Sequence, residues 1–140
     1  MNRLLGFDLG SKTLGVSISD PLGMIARALT TIRFASDDYE DALSQAMALT
    51  KQEGADTIVL GLPKHMNGDV GERGEISIAF AKRLEESGVK VVLWDERLTT
   101  VAANRVLLEG DVSRKKRKKV IDQMAAVQIL QSYLDYSNRG

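Results

Sequence analysis

The sequence predicts an α/β protein in which a five-stranded mixed sheet carries helices on both faces. Three β-rich runs open the chain, joined by short turns, which is typical of an antiparallel meander. Two further β-rich runs are each reached through a helical stretch, and such crossovers place strands parallel to the first. The 140 residues fit one domain, and 44% hydrophobic with 27% charged residues is the composition of a folded globular protein.

The three strands of the meander are predicted at residues 4–9, 14–19 and 25–34. Glycine or proline lies in both connecting turns, where the chain must reverse its direction. A helix capped by Ser36 or Asp37 follows, because apolar residues recur near one face until Gly54 supplies a stop.

The second half of the chain alternates strands with helices, without internal repeats or linkers. The predicted elements are a strand at 57–62, a loop at 63–74, a helix ending at Gly88, a strand at 89–94, a helix at 101–109 and a last helix over about 118–136.

The composition excludes several classes of site. With no cysteine and a single histidine, the chain forms no disulfide, no thiolate zinc site and no cluster of imidazole ligands. Any metal must therefore be held by carboxylates. No apolar run reaches the ~18 residues that span a bilayer, and Asp8 interrupts the start before a secretory segment forms, so a soluble protein that is not exported is expected.

Basic residues concentrate near the end of a chain whose formal net charge is zero. Such a run indicates contact with a polyanion or, alternatively, a mobile solvated segment. Its six consecutive members are Arg114, Lys115, Lys116, Arg117, Lys118 and Lys119.

Carboxylates stand at three places where secondary structure does not favour them. Asp8 lies inside the first strand, where burial needs compensation by a functional partner or by the turn at 11–12. Asp95 and Glu96 follow the fifth strand, at the edge where open α/β sheets bind ligands, or they begin a solvated loop. Asp122 interrupts the apolar stripe of the last helix, as a functional acid or as a favourable charge near the helix start.

If these acids converge on one edge of the sheet, they require a cation, because carboxylates packed within a few ångströms repel one another. Ligand sets made only of oxygen suit Mg²⁺ or Mn²⁺. Such ions stabilise the attacking and leaving oxygens of phosphoryl chemistry, so the expected substrate is a phosphodiester.

Four motifs in order carry a family resemblance. They are Gly6-Phe7-Asp8-Leu9-Gly10 with Gly15-Val16 and Ser19-Asp20, then Gly61-Leu62-Pro63 through Asn67-Gly68 and Gly71, then Asp95-Glu96-Arg97-Leu98-Thr99-Thr100, then Ile121-Asp122. The chain resembles, almost from end to end, the YqgF family of pre-16S rRNA nucleases, also described as Holliday-junction-resolvase-like. The resemblance implies an RNase H-like fold, a single nuclease domain over residues 1–140, a bacterial cytoplasmic location and a role in maturing the 5′ end of 16S rRNA.

The resemblance also implies the roles of the acids. By position, Asp8, Glu96 and Asp122 match the catalytic metal-binding acids of the family, with Asp8 bridging the ions and Asp95 in reserve for Glu96. The implied activity is that of a metal-dependent endonuclease with Mg²⁺ or Mn²⁺ as cofactor. His65 departs from the small polar residue expected in its loop, which concerns loop contacts alone.

Polar and basic residues around these acids are predicted to bind the substrate. The loop before the second helix presents backbone N–H groups that suit phosphate, although a plain connector with a tight turn explains it equally well. The threonines after the fifth strand contact phosphate, cap a helix, or do both. The predicted substrate-binding residues are Lys12, Lys64, Asn67, Arg73, Arg97, Thr99, Thr100 and the basic run at 114–119.

With 5% aromatic residues, no stacking platform for single-stranded bases is expected, and shape recognition of structured nucleic acid is predicted instead. The expected partner is pre-16S rRNA or a ribosomal precursor, a homodimer stays open, and no membrane partner is expected. Three other functions remain: a resolvase-like DNA nuclease, a non-catalytic RNA-binding assembly factor, and an ATP-binding domain of the actin and sugar-kinase type. The last is disfavoured because the chain has no second phosphate-binding hairpin.

Overall fold

The computed structural model describes residues 3–99 and 114–138, with side chains in the last helix described from Met124 onward. Five strands form one sheet: β1 (Arg3–Leu9), β2 (Thr13–Ser19), β3 (Ala26–Arg33), β4 (Ala55–Leu62) and β5 (Lys90–Asp95). Their order across the sheet is β3-β2-β1-β4-β5. The β1–β2 and β2–β3 pairs are antiparallel and the β1–β4 and β4–β5 pairs are parallel, which confirms the predicted mixed sheet.

Three α-helices are described: α1 (Tyr39–Glu53), α2 (Glu72–Glu85) and α3 (Arg114–Ser137). A short 3-10 turn (Glu96–Leu98) follows β5 directly. The predicted helix at 101–109 and the predicted site residue Thr100 lie outside the described residues. No helix in the described ranges combines the length and the apolar character needed to cross a membrane.

Three details of the predicted helices were wrong. Asp38, rather than Ser36 or Asp37, caps α1, because its side chain accepts a hydrogen bond from the Asp41 backbone N–H. Helix α2 begins at Glu72, so Arg73 and Gly74 lie in its first turn and not in a loop.

The third concerns the last helix, which begins at Arg114 and includes the whole basic run. Asp122 therefore stands more than two turns inside α3. The influence of a helix dipole fades within the first turn, which removes the explanation of Asp122 as a charge near the helix start.

The sheet buries both faces, as predicted. One face, with Leu5 and Phe7 of β1, packs against the apolar sides of α1 and α2. The opposite face, with Val59 of β4, packs against Ile129 and Leu130 of α3. Because side chains alternate along a strand, the residues of β1 that face α3 are Leu4, Gly6 and Asp8.

Helix α3 is fixed on the sheet at Gly6, where its backbone comes very close to β1. The Ser17 hydroxyl of β2 donates a hydrogen bond to the Ala126 carbonyl at 2.7 Å. Farther along α3, Gln131 accepts from the Ala26 backbone N–H at the start of β3. Ala26 pairs with Ser19 at the end of β2, and this end of β2 lies beside the start of β1. Helix α3 therefore runs antiparallel to β1, and position 122 precedes Ala126 by one turn toward the Asp8 end of the strand.

Candidate active site

Asp8 is a buried carboxylate on the face of the sheet that α3 covers. Its residue is 7% exposed, and its partner across the antiparallel pair is Gly15 of β2. The parallel register that pairs Gly6 with Val59 brings Gly61 of β4 beside Asp8 on the other side. Glycine neighbours on both strands leave the space around this carboxylate clear of cross-strand side chains.

Glu96 occupies the space that Gly61 leaves. A Cβ atom on Gly61 would lie 2.8 Å from Glu96 Oε1 and 3.3 Å from Glu96 Cγ, so the glutamate side chain lies directly over this glycine. The 3-10 turn after β5 carries Glu96 back over β4. The carboxylates of Asp8 and Glu96 thus occupy adjacent positions on the same face of the sheet.

Asp95, the reserve candidate for Glu96, forms ion pairs with Arg97 and Lys64. Its Oδ2 lies 2.7 Å from Arg97 Nη2 and 4.0 Å from Lys64 Nζ, and its Oδ1 accepts from the Arg97 backbone N–H. The hydrogen bonds from the Arg97 side chain lower the pKa of Asp95 below its ordinary value, against the opposing effect of burial. Asp95 therefore stabilises the turn that presents Glu96.

The replacement Asp95→Asn is expected to destabilise the fold in a manner that depends on pH. Because the folded-state pKa of Asp95 is lowered, its stabilising contribution is complete above the unfolded pKa and disappears as pH falls through the folded pKa. Urea unfolding should show a lower midpoint for the variant at about pH 7 and a smaller difference at about pH 3. A difference that stays constant between these two pH values would contradict the ion pair, and Glu85→Gln, at an exposed position, serves as the control.

The structure gathers three of the predicted substrate residues at the end of β5. Lys64 and Arg97 both approach Asp95, and Arg97 Nη1 also lies 3.5 Å from the Met66 carbonyl. The Thr99 hydroxyl donates to the Glu96 carbonyl at 2.7 Å, which closes the 3-10 turn. These contacts connect the two predicted cations to the turn that carries the second acid.

Asn67 makes its contacts within its own loop. Its side chain accepts from the Asp69 backbone N–H and donates to Asp69 Oδ2, while Gly68 adopts a φ of 93°. This geometry is that of a tight turn, the alternative explanation of the loop. His65 packs against Gly71, because a Cβ there would lie 2.6 Å from His65 Nε2.

The described hydrogen bonds of Arg73 and Lys12 go to groups other than the carboxylates of Asp8 and Glu96. The Arg73 guanidinium donates to the Leu9 carbonyl at 3.1 Å and to the Tyr39 hydroxyl at 2.9 Å, so it holds the end of β1 next to Asp8. Lys12 is exposed in the β1–β2 turn, and its carbonyl accepts from the Phe34 backbone N–H.

The side chains of Asp122 and of the basic run at 114–119 lie outside the described residues, although the backbone of α3 is described there. Where side chains are described, at 3–99 and 124–138, no three acids or histidines form a group able to hold a metal. Asp8 and Glu96 are two members of the predicted trio, and the backbone of α3 carries Asp122 toward the same end of β1.

An aromatic cluster beside Glu96 was not anticipated, since composition alone gave no sign of a stacking surface. Trp94 of β5 meets Tyr133 edge to face at a centroid distance of 5.5 Å and Tyr136 at 5.5 Å with the rings tilted by 55°. Three signals were available for this cluster. The two tyrosines are spaced i, i+3 on α3, Trp94 precedes Glu96 by two residues, and β5 is an edge strand. The cluster places aromatic rings near Glu96, while the expected lack of a stacking platform for single-stranded bases stays a prediction.

A mixed five-stranded sheet in the order β3-β2-β1-β4-β5, with helices on both faces, is the arrangement of the RNase H-like fold. A family model described as "RuvX: Holliday junction resolvase" matches residues 2–136. The chain belongs to this family, and it is a hydrolase that acts on phosphodiester bonds. This membership confirms the resemblance and the fold predicted from the motifs.

Individual relatives agree with this assignment. A protein of Bacillus pumilus named "Putative pre-16S rRNA nuclease" is 57% identical over 137 residues, which cover 97% of this chain and 99% of that protein. A Bacillus subtilis protein of the same name is also 57% identical over 137 residues, with the same coverage. The structure of Thermus thermophilus RuvC in complex with a Holliday junction substrate is similar in fold, with a TM-score of 0.67 at 14% identity over 100% of this chain and 97% of that one.

Proposed function

We propose that residues 1–140 form a single metal-dependent endonuclease domain that processes the 5′ end of pre-16S rRNA in the bacterial cytoplasm. The observation that carries this proposal is the adjacent placement of Asp8 and Glu96 on the α3 face of the sheet, over the glycine at position 61. The names of the relatives that match nearly the whole chain support the choice of substrate.

The acid pair fits a divalent cation. Asp8 is almost fully buried, and the Glu96 carboxylate lies next to it on the same face of the sheet. Carboxylate oxygens are the donors that Mg²⁺ and Mn²⁺ prefer. We infer that Asp8, Glu96 and Asp122 hold the metal, with Asp122 reaching the pair from one helical turn before Ala126.

The residues of this chain have separate tasks in the proposed reaction. Bound divalent ions would supply electrostatic stabilisation of the attacking and leaving oxygens. Arg97 and Lys64, beside the 3-10 turn, would orient the substrate phosphates, while Asp95 keeps the Arg97 guanidinium in position. Arg73 acts as a positioning residue, because it fixes the Leu9 carbonyl next to Asp8.

The test is a cleavage assay on two substrates, a 16S precursor fragment that includes the 5′ end and a four-way DNA junction. We expect the precursor to be cut with Mg²⁺ or Mn²⁺ and to remain intact with EDTA. Cutting of the junction alone would instead support a resolvase, the function that the family description names. Binding of the precursor without cutting by the wild-type protein would support an assembly factor.

The basic run is proposed to bind the phosphate backbone. Six positive charges in the first two turns of α3 oppose the helix dipole, so helix stability does not explain their position. Replacing Lys115, Lys116, Lys118 and Lys119 with glutamine should weaken RNA binding and reduce the slope of log K against log salt concentration by up to about 3. Fluorescence anisotropy at several salt concentrations measures this slope.

The matched control replaces three exposed lysines on other elements, Lys51, Lys82 and Lys90, with glutamine. This variant should keep the wild-type slope within about 1, because its lysines lie outside the proposed path of the substrate. An unchanged slope in the quadruple variant would reject the backbone-binding role of the run.

A further inference from the structure

A cavity of about 800 Å³ opens beside the turn that carries Glu96. Its apolar lining includes Trp94, Leu98 and Tyr136, and its polar lining includes Gln128 and Asp135. Its volume falls in the range of about 300–1,000 Å³ that is typical of sites for small organic groups. None of the described residues that line it is basic, so the cavity suits an uncharged group rather than a phosphate.

The aromatic lining is held rigidly. The Trp94 indole N–H donates to the Ser132 hydroxyl at 3.0 Å, and Tyr133 contacts the same indole ring edge to face. Tyr136, in contrast, is 64% exposed and stands at the mouth of the cavity with its ring 5.5 Å from Trp94. A fixed indole beside an exposed phenol provides a surface on which a flat aromatic group stacks.

Gln128 adds an unsatisfied polar group to this lining. Among the described residues, none hydrogen-bonds to its buried Oε1 atom. Buried acceptors without a donor are rare in folded proteins and call for an explanation, such as an ordered water, an ion or a functional role. A carboxamide offers both a donor and an acceptor, the combination that also lies along the edge of a nucleobase.

The cavity and the acid pair share one turn of the chain. Trp94 precedes Glu96 by two residues, and Leu98 and Thr99 follow it. The Thr99 hydroxyl closes this turn on the Glu96 carbonyl. The cavity therefore borders the turn that carries Glu96, beside the proposed position of the substrate phosphate.

We propose that this cavity binds one unpaired nucleobase of the substrate, stacked on Trp94 and Tyr136 and hydrogen-bonded by Gln128. The inference deepens the proposed function and rests on it, because it assigns the chain a preference for cutting next to a nucleotide that is not base-paired. It also replaces the expectation of pure shape recognition with the reading of one base.

The test measures binding in EDTA, where cleavage is absent, with two RNA hairpins that differ at a single position. One hairpin carries one unpaired adenosine, and the other carries an abasic residue at the same place. We expect the adenosine hairpin to bind about tenfold more tightly and to quench the fluorescence of Trp94, the only tryptophan of the chain. Anisotropy of labelled RNA gives the affinities.

Variants at Tyr136 and Gln128 separate stacking from other contributions. Tyr136→Ala should remove most of the preference for the adenosine hairpin, whereas Tyr136→Phe should retain it, because the ring is kept. Gln128→Leu, of similar size, should weaken the adenosine hairpin and leave the abasic hairpin unchanged. Tyr136 is largely exposed, so its two variants should fold, and thermal midpoints verify the folding of these variants and of Gln128→Leu.

Equal affinity for the two hairpins would overturn the proposal, as would an undiminished preference in Tyr136→Ala. Loss of a dimer in Tyr136→Ala, measured by sedimentation, would also overturn it and assign the cavity to a second copy of the chain. Absence of the base preference in a protein that cleaves with Mg²⁺ would refute the base-binding role of the cavity and leave the proposed nuclease function intact. A base preference in a protein whose Asp8→Asn variant cleaves normally would support the cavity and refute the nuclease site.

Discussion

The replacement Asp8→Asn is expected to lower the rate of phosphodiester cleavage by about a thousandfold and to leave the fold intact. Asparagine has nearly the size of aspartate but lacks the negative charge that holds a divalent cation, and loss of one such electrostatic contribution costs about 10²- to 10³-fold. The same change removes a carboxylate that is buried at 7% exposure beside Glu96. The thermal midpoint without added ions should therefore stay close to that of the wild type, because asparagine keeps the size of the buried side chain.

Single-turnover cleavage of the 16S precursor fragment with Mg²⁺ measures the loss of rate in Asp8→Asn. Thermal unfolding in EDTA measures the thermal midpoint. Glu96→Gln should lose activity to a similar degree. Asp95→Asn is the matched control on the adjacent residue, and it should retain cleavage within about tenfold because Asp95 acts through Arg97. Normal cleavage by Asp8→Asn, or equal losses in Glu96→Gln and Asp95→Asn, would show that the acids were assigned wrongly.

The β-rich runs of the sequence and the turns between them predicted the five strands well. The meander follows from short turns between β-rich runs, and the parallel strands follow from the helical crossovers between them. The start of α2 was missed because Arg73 and Gly74 belong to a glycine-rich stretch that looks like a loop. Tertiary packing explains Gly74 in a helix, since a Cβ there would lie 2.4 Å from Val70 Cγ1 and 2.9 Å from the Pro63 carbonyl.

The candidate site was only partly predictable from the sequence, because part of it also depends on tertiary contacts. Aspartate is unfavourable inside a strand, which makes Asp8 conspicuous, but its position alone left a functional role and a hydrogen bond to the turn at 11–12 equally open. The residues alone left open whether Asp95 or Glu96 faces the site, and only the resemblance favoured Glu96. The difference between them depends on a 3-10 turn and on the ion pair that Arg97 forms with Asp95. The cluster around Trp94 depends on side-chain contacts between β5 and α3, two segments far apart in sequence.

The replacement Gly6→Ala is expected to destabilise the fold by about 3 kcal/mol and to reduce cleavage at the same time. A Cβ on Gly6 would lie 2.3 Å from Ser17 Oγ, 2.7 Å from Leu130 Cβ and 2.8 Å from the Ala126 carbonyl oxygen. All three distances are shorter than real contacts, and two of the atoms belong to α3. The helix must therefore move away from β1, and Asp122 moves with it. Urea unfolding and the precursor cleavage assay measure the two effects.

Two further variants decide whether the position of α3 is the cause. Gly10→Ala, near the end of the same strand, places its Cβ 3.2 Å from the nearest atom, the Thr13 carbonyl oxygen, and should cost much less stability. Adding Ser17→Ala to Gly6→Ala removes the closest clash but leaves Leu130 and Ala126 in place, so stability should recover only in part. Full recovery in the double variant would assign the clash to the hydroxyl and not to the helix. Partial recovery with cleavage still lost would show that the acid pair of the sheet functions only when α3 lies against Gly6.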